Sequence, residues 1–245
     1  MAASRFPGKP LHPILGRPMI DHVYFRAKMY SKWDKLVVAT CDKEIEEHSN
    51  LMGFPVVMTG THHTRALDRV AEAITMLDVS VSGDDIVICV QGDEPMMAPN
   101  MIDAVLAPLL ANRNIPGTIL TMNIQDESIW RNPDTVKLVH NEEGVVLYTS
   151  RAPIPYCKEG FDESLGAKRI YGIFAFRWEY LQAFTGHRET RLELLESCDS
   201  NRILDMNFRQ YIAPYGFVQS YSVDSPSDIG LVEKHIVNDP YWASY

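Results

Sequence analysis

Arg5 and Lys9 bracket Phe6-Pro7-Gly8, a basic turn around a glycine that leads through Pro10 and Leu11 towards a helix. Two cations beside exposed backbone N–H groups suit the phosphates of a nucleoside triphosphate, although a short Gly-Lys pairing by itself also fits a solvated turn. Gln91-Gly92-Asp93-Glu94-Pro95 closes an apolar run, so Asp93 falls at the carboxyl edge of a sheet, where open α/β folds bind ligands. Gly92 would permit close approach of the backbone to such a ligand. Asp224 ends a second run, Ser220-Tyr221-Ser222-Val223, ahead of a helix. Taken singly, the first is equally an ordinary strand-ending turn and the second a helix cap. Taken together with the basic turn, two strand-end carboxylates favour a shared magnesium ion, which takes oxygen ligands and completes its shell with phosphate.

The elements that must hold these groups alternate in type. Lys35–Thr40, Pro55–Met58 and Asp85–Gln91 are short β-branched runs suited to buried parallel strands. Met19–Tyr30 and Ala66–Leu77 carry apolar residues at helical spacing between them, and Lys43–Met52 reads as a charged surface helix. This βαβ rhythm predicts an α/β fold of three layers around a mostly parallel, mixed sheet. Beyond Gln91 the strand-like runs Thr118–Ile124, Val136–His140, Val145–Ser150, Ile170–Phe176 and Phe217–Val223 lie close enough to form hairpins. An antiparallel section around residues 140–190 is expected there, serving a dimer contact as well as a substrate wall. No linker or repeat divides the chain, so residues 1–245 read as one domain.

A net charge of −9 argues against nucleic acid and anionic membranes as partners, because either needs a basic face. The four cysteines form no C-x-x-C pair, which points away from a disulfide frame or zinc site and towards a reducing cytoplasm. No apolar segment approaches the roughly 20 residues of a membrane span. His62, His63 and His187 are expected on loops as solvated side chains rather than metal ligands, and Met96 and Met97 as packing.

These stretches together resemble the CMP-Kdo synthetase family, the cytidylyltransferases that activate ulosonic acid sugars for lipopolysaccharide. The resemblance rests on Arg5-Phe6-Pro7-Gly8-Lys9-Pro10-Leu11, Gly16-Arg17-Pro18-Met19-Ile20, Asp68-Arg69-Val70-Ala71-Glu72 and Val90-Gln91-Gly92-Asp93-Glu94-Pro95. It continues through Asn132-Pro133-Asp134-Thr135-Val136-Lys137, Tyr148-Thr149-Ser150-Arg151-Ala152-Pro153-Ile154-Pro155 and Ser222-Val223-Asp224-Ser225-Pro226. It implies a nucleotide-diphospho-sugar transferase, Rossmann-like fold and a cytoplasmic homodimer that transfers CMP from CTP to the anomeric hydroxyl of Kdo or a related ulosonic acid. Arg5 and Lys9 would bind the triphosphate and, with Asp93, form the catalytic group. Arg65, Arg69 and Gln91 would seat the nucleotide, and Asp93 and Asp224 would hold Mg2+. Gln91, Arg151 and Asp199 would face the sugar acid, Arg151 with a guanidinium fork matched to a carboxylate.

The chain departs from the family pattern in four places. Family members commonly begin with an apolar strand and an Ile-Pro-Ala-Arg segment, whereas this chain opens inside that motif, which suggests an internal start codon or a truncated gene model. Arg65-Ala66-Leu67 stands where the family commonly has Ser-Gly-Thr, on the base side. Ile170-Tyr171-Gly172-Ile173-Phe174 replaces His-x-Gly-Ile-Tyr, and Asp199-Ser200 replaces Glu-Gln, both on the sugar side. The last two imply the same reaction on a different acceptor, such as an amino-substituted Kdo, because a buried hydroxyl or amine needs a matched partner. Two other readings are a sugar-phosphate nucleotidyltransferase using UTP or GTP and an inactive remnant. The first would need a further basic cluster at the acceptor end; the second follows only if the opening strand is truly lost.

Overall fold

A computed structural model of the chain describes residues 6–245. In chain order the elements are β1 (Pro13–Ile14), β2 (Arg17–Pro18), α1 (Met19–Lys28), β3 (Val38–Thr40), α2 (Lys43–Met52), β4 (Val56–Met58), α3 (Ala66–Met76) and β5 (Ile86–Val90). There follow α4 (Asn100–Ala111), β6 (Gly117–Asn123), α5 (Glu127–Arg131), β7 (Lys137–His140), β8 (Val146–Ser150) and β9 (Lys168–Arg177). The last are α6 (Trp178–Thr185), α7 (Arg191–Glu196), α8 (Ser200–Asp205), β10 (Tyr211–Tyr215) and α9 (Ser227–Ile236). The chain divides into two compact units. One runs through Ser80 and takes in Val90–Ile102 and Val218–Tyr245; the other comprises Val81–Cys89 and Asp103–Phe217.

In the first unit, Gly8 adopts a left-handed φ of 74° that only glycine takes without cost, and the chain turns there into a single 3-10 turn, Lys9–Leu11. Leu15 and Gly16 both have positive φ, the signature of a tight hairpin turn, and they fold β2 back on β1 just before α1. β3 and β4 pair in parallel across α2. The core gathers Phe6, Ile14, Met19 and Met96 from the front of the unit with Val223, Ile229, Val232 and Ile236 from its tail. Arg26, fully buried, ties the same two parts by donating to Met97 O (3.2 Å), Asp239 Oδ2 (3.1 Å) and Tyr245 Oη (3.0 Å).

The second unit is built on a six-stranded mixed sheet in the order β10-β6-β9-β7-β8, with β5 also paired to β9. β10 runs parallel to β6, while β6 with β9, β9 with β7 and β7 with β8 are antiparallel. The α/β class and mixed sheet agree with the sequence, but the six-stranded sheet is more antiparallel than the mostly parallel one expected, because β9 pairs antiparallel with both β6 and β7, and β7 with β8. One strand differs: Phe217–Val223 forms no ladder, and the strand of that region is β10. Gly117 leaves room for the Phe176 ring, whose atoms lie within 2.5 Å of where a Cβ would stand. Glu193 and Arg202, both buried, form a paired ion bridge at 2.7 and 2.8 Å.

Candidate active site

Within the first unit, the basic turn and the two aspartate-bearing segments converge. Lys9 Nζ donates to Asp93 Oδ2 at 2.9 Å and to Val223 O at 2.8 Å. The Val223 N–H returns a hydrogen bond to Asp93 O at 2.9 Å, so Asp224, the next residue, is carried beside the Gln91-Gly92-Asp93 turn. A second tie lies one residue along on each segment, where Ser222 Oγ reaches both carboxylate oxygens of buried Glu94 at 2.8 Å. Glu94 had no role in the sequence reading. Its signal was only its place after Asp93, and a buried carboxylate needs partners that no single segment reveals.

Asp224 is not the cap of α9. Asp228, inside the first turn of that helix, reaches back to accept from the N–H groups of Asp224 (2.9 Å) and Ser225 (2.7 Å). The N-terminal cap position of α9 is Pro226, so Asp224 precedes the cap, and Asp228 fixes the turn that carries it. The other Asp93 oxygen, Oδ1, is buried and accepts no hydrogen bond. An anionic oxygen without a donor is costly unless a cation meets it, which fits a magnesium site on Asp93 and Asp224. A Cβ added to Gly92 would meet nothing within 4 Å, so the glycine is not required by the chain's own packing.

Arg69 projects from α3 and clamps the preceding loop, donating to Thr59 Oγ1 (2.5 Å), Gly60 O (3.3 Å) and His63 O (3.2 Å). Arg65 stands at the N-terminal cap position of the same helix. His63 is not a solvated loop histidine: its Nε2 lies 2.6 Å from Glu72 Oε2, which also accepts from the Gly60 N–H at 2.8 Å. The Gly60 N–H first, and then the His63 ring, hold the Glu72 carboxyl below the usual carboxylate range. Gln91 is half-buried, and its carbonyl accepts from the Glu94 N–H. Arg5 lies outside the described residues. Met96 and Met97 are buried, as packing requires.

In the second unit, Arg151 follows β8 and is held at the backbone by Glu196 Oε2 (2.9 Å). Its Nε donates to Glu196 O at 2.9 Å and its Nη1 to Pro133 O at 2.8 Å, while contacts to Asp134 O and Ser197 O are long, 3.4 and 3.5 Å. Two of five N–H groups are thus firmly engaged, and the rest of the fork remains able to take a carboxylate. Burial works to raise the Glu196 carboxyl, but the Arg151 N–H and the Ser150 and Tyr148 hydroxyls outweigh it and hold it low. Beneath, fully buried Lys137 donates to the carbonyls of Asn132 (2.7 Å), Thr135 (2.6 Å) and Arg151 (2.6 Å). Burial first, and then the Arg151 charge, push its ammonium down to about 8. Asp199 stands at the N-terminal cap position of α8 without a capping bond from its side chain. Glu196 and Lys137 support Arg151 across a long sequence separation and so could not be assigned from spacing.

An α/β fold in which a lysine of a glycine turn meets a strand-end carboxylate agrees with a nucleotidyltransferase, the class that the comparisons show. The chain belongs to the cytidylyltransferase family, whose model matches residues 1–210. It is 39% identical over 233 residues to a 3-deoxy-manno-octulosonate cytidylyltransferase of Nitratidesulfovibrio vulgaris (strain DP4), covering 94% of this chain and 90% of that one. A protein of the same description from Syntrophotalea carbinolica is 38% identical over 245 residues, covering 96% and 94%. Among solved structures, a CMP:2-keto-3-deoxy-manno-octonic acid synthetase complexed with CTP superposes with a TM-score of 0.84 at 31% identity, covering 96% of this chain and 94% of that one.

Proposed function

We propose that this chain transfers CMP from CTP to the anomeric hydroxyl of 3-deoxy-manno-octulosonate, releasing pyrophosphate. The observation that carries the reading is the Lys9–Asp93–Val223 latch, which unites the phosphate-binding turn with both aspartate segments in a member of the cytidylyltransferase family. The anomeric oxygen attacks the α-phosphorus, the bond to the bridging oxygen of the β-phosphate breaks, and the hydroxyl proton leaves to solvent. Such a displacement asks for positioning and charge neutralisation rather than a protein nucleophile.

Lys9 is placed to exchange its bond to Asp93 for a phosphate oxygen, so the ammonium is oriented before substrate arrives. Arg69 keeps the Thr59–His63 loop in shape, Arg65 and Gln91 lie on the nucleotide side, and Arg5 adds positive charge to the turn. Arg151 takes the sugar carboxylate, with Asp199 and Gln91 towards its hydroxyls. Asp93 and Asp224 would hold Mg2+, which when bound would neutralise charge on the phosphates. Among the described residues, no helix is long and apolar enough to cross a membrane. None of the four cysteines is in a disulfide, which supports a reducing compartment such as the cytoplasm. Exposed Leu147, Leu194 and Leu195 in the second unit support a homodimer.

The test is pyrophosphate release from CTP with Mg2+ and a panel of acceptors. Release with 3-deoxy-manno-octulosonate and CTP, at least tenfold above UTP or GTP, is expected. Preference for an amino-substituted ulosonic acid would move the acceptor but keep the reaction; no release with any sugar acid would overturn it.

A further inference from the structure

His62, His63 and Glu72 each place a ligand atom within 4.8 Å of the others, and none of them belongs to the aspartate pair. The His63 and His62 rings lie 4.1 Å apart at their centroids, tilted rather than stacked, and His63 Nε2 already meets Glu72 Oε2 at 2.6 Å. We propose that these three side chains form a second metal site, selective for a zinc-class divalent cation, which braces the Thr59–His63 loop against α3.

The donor set decides the class of ion. Two imidazoles and one carboxylate suit zinc, with bonds of about 2.0–2.2 Å and a fourth position left to water. Magnesium, which wants oxygen and octahedral geometry, is a poor match, so the two sites differ in kind. Ligand atoms on a tetrahedral zinc stand roughly 3.3 Å apart, by the bond lengths above. The present separations run from 2.6 Å to within 4.8 Å, so small side-chain rotations about fixed backbones would close the shell. The ion would replace the proton now shared by His63 and Glu72.

The surroundings hold the ligands in place. Glu72 Oε2 is oriented by the Gly60 N–H, and the loop carbonyls of Gly60 and His63 are held by Arg69, the kind of outer support that fixes metal ligands. Gly60 also makes space: a Cβ there would lie 2.5 Å from His62 Nδ1 and 2.4 Å from its Cε1, with Glu72 Oε1 at 3.5 Å. Any larger residue would push the His62 ring out of the cluster. His62 itself is exposed, so the site is open to ions from solvent.

The experiment is calorimetric titration of the chelator-treated full chain with Zn2+ alone, without nucleotide, alongside His62→Ala, Gly60→Ala and Asp93→Asn. One equivalent is expected to bind the parent chain and Asp93→Asn alike, with affinity at least tenfold weaker in both His62→Ala and Gly60→Ala. Gly60→Ala removes no ligand and His62 is a surface side chain, so thermal melts of the metal-free variants should match the parent. Co2+ in place of Zn2+ should give the intense visible bands of a tetrahedral centre in the parent and lose them in His62→Ala. Absence of saturable binding, equal affinity in His62→Ala, or loss of binding in Asp93→Asn would each overturn the proposal.

Discussion

Lys9 and Asp93 neutralise each other across 2.9 Å, so the cation proposed for phosphate and the anion proposed for metal stand as a pair. Each is only partly exposed, at 14% and 28% of its side chain. On the proposed function, a ligand for either group must compete with its partner.

Lys9→Met should therefore have opposite effects on two measurements. Turnover of CTP should fall about 100-fold or more, as when a positioned charge is removed from developing negative charge. Binding of Mn2+ in the absence of nucleotide, followed by its paramagnetic signal, should tighten, because Asp93 is no longer occupied. Unchanged Mn2+ affinity would contradict this competition.

Gly92→Ala should leave the fold untouched, since its Cβ meets nothing within 4 Å. The unfolding free energy should stay within about 0.5 kcal/mol of the parent, while KM for CTP rises at least several-fold if the phosphates pass close to this backbone. A variant with ordinary kinetics would show that the ligand keeps its distance there.

Lys137 predicts a pH dependence of stability. Its folded value of about 8 lies below its ordinary 10.5, so between these limits the unfolded chain binds more protons than the native one. Stability from this group therefore rises with pH across that window: below about 8 the native state bears the burial of the charge, and above about 10.5 neither state carries it. Urea unfolding at pH 7.5 and pH 10, parent against Lys137→Met, should show the parent gaining on the variant at the higher pH. A gap that narrows instead would rule the burial argument out.

Glu193 and Arg202 are 0% and 2% exposed in their side chains. Glu193→Ala should cost about 3–5 kcal/mol, because it strands a buried guanidinium. The double change Glu193→Leu with Arg202→Leu should cost less than the single one. If the single and double variants unfold at the same urea concentration, the pair is not acting as a buried ion bridge.

Helices with a clean apolar period were legible: α2 spans the Lys43–Met52 that the pattern marks, and α1 and α3 end within two residues of expectation. Tyr211–Tyr215 was hidden by Pro214, which argues against a strand interior but is tolerated on an edge, and β10 is the edge partner of β6. Phe217–Val223 alternates like a strand, yet Val223 spends its N–H on Asp93 O instead of a ladder. The aspartates, Lys9 and Arg69 could be singled out because their chemistry is local to short motifs. Glu94, Glu196 and Lys137 could not, because a buried charge is explained only by partners that folding brings from elsewhere.

The first unit is discontinuous: Phe6, Ile14 and Met19 pack against Val223, Ile229, Val232 and Ile236, with the whole second unit encoded in between. During synthesis the front of this core must wait, half-covered, until more than two hundred residues have left the ribosome, whereas all of Val81–Cys89 and Asp103–Phe217 has already emerged. Arg151 can thus be set in its scaffold while Lys9 still lacks the carbonyl of Val223. The bond from Lys9 to the Val223 carbonyl can close only after every residue of the second unit has been made.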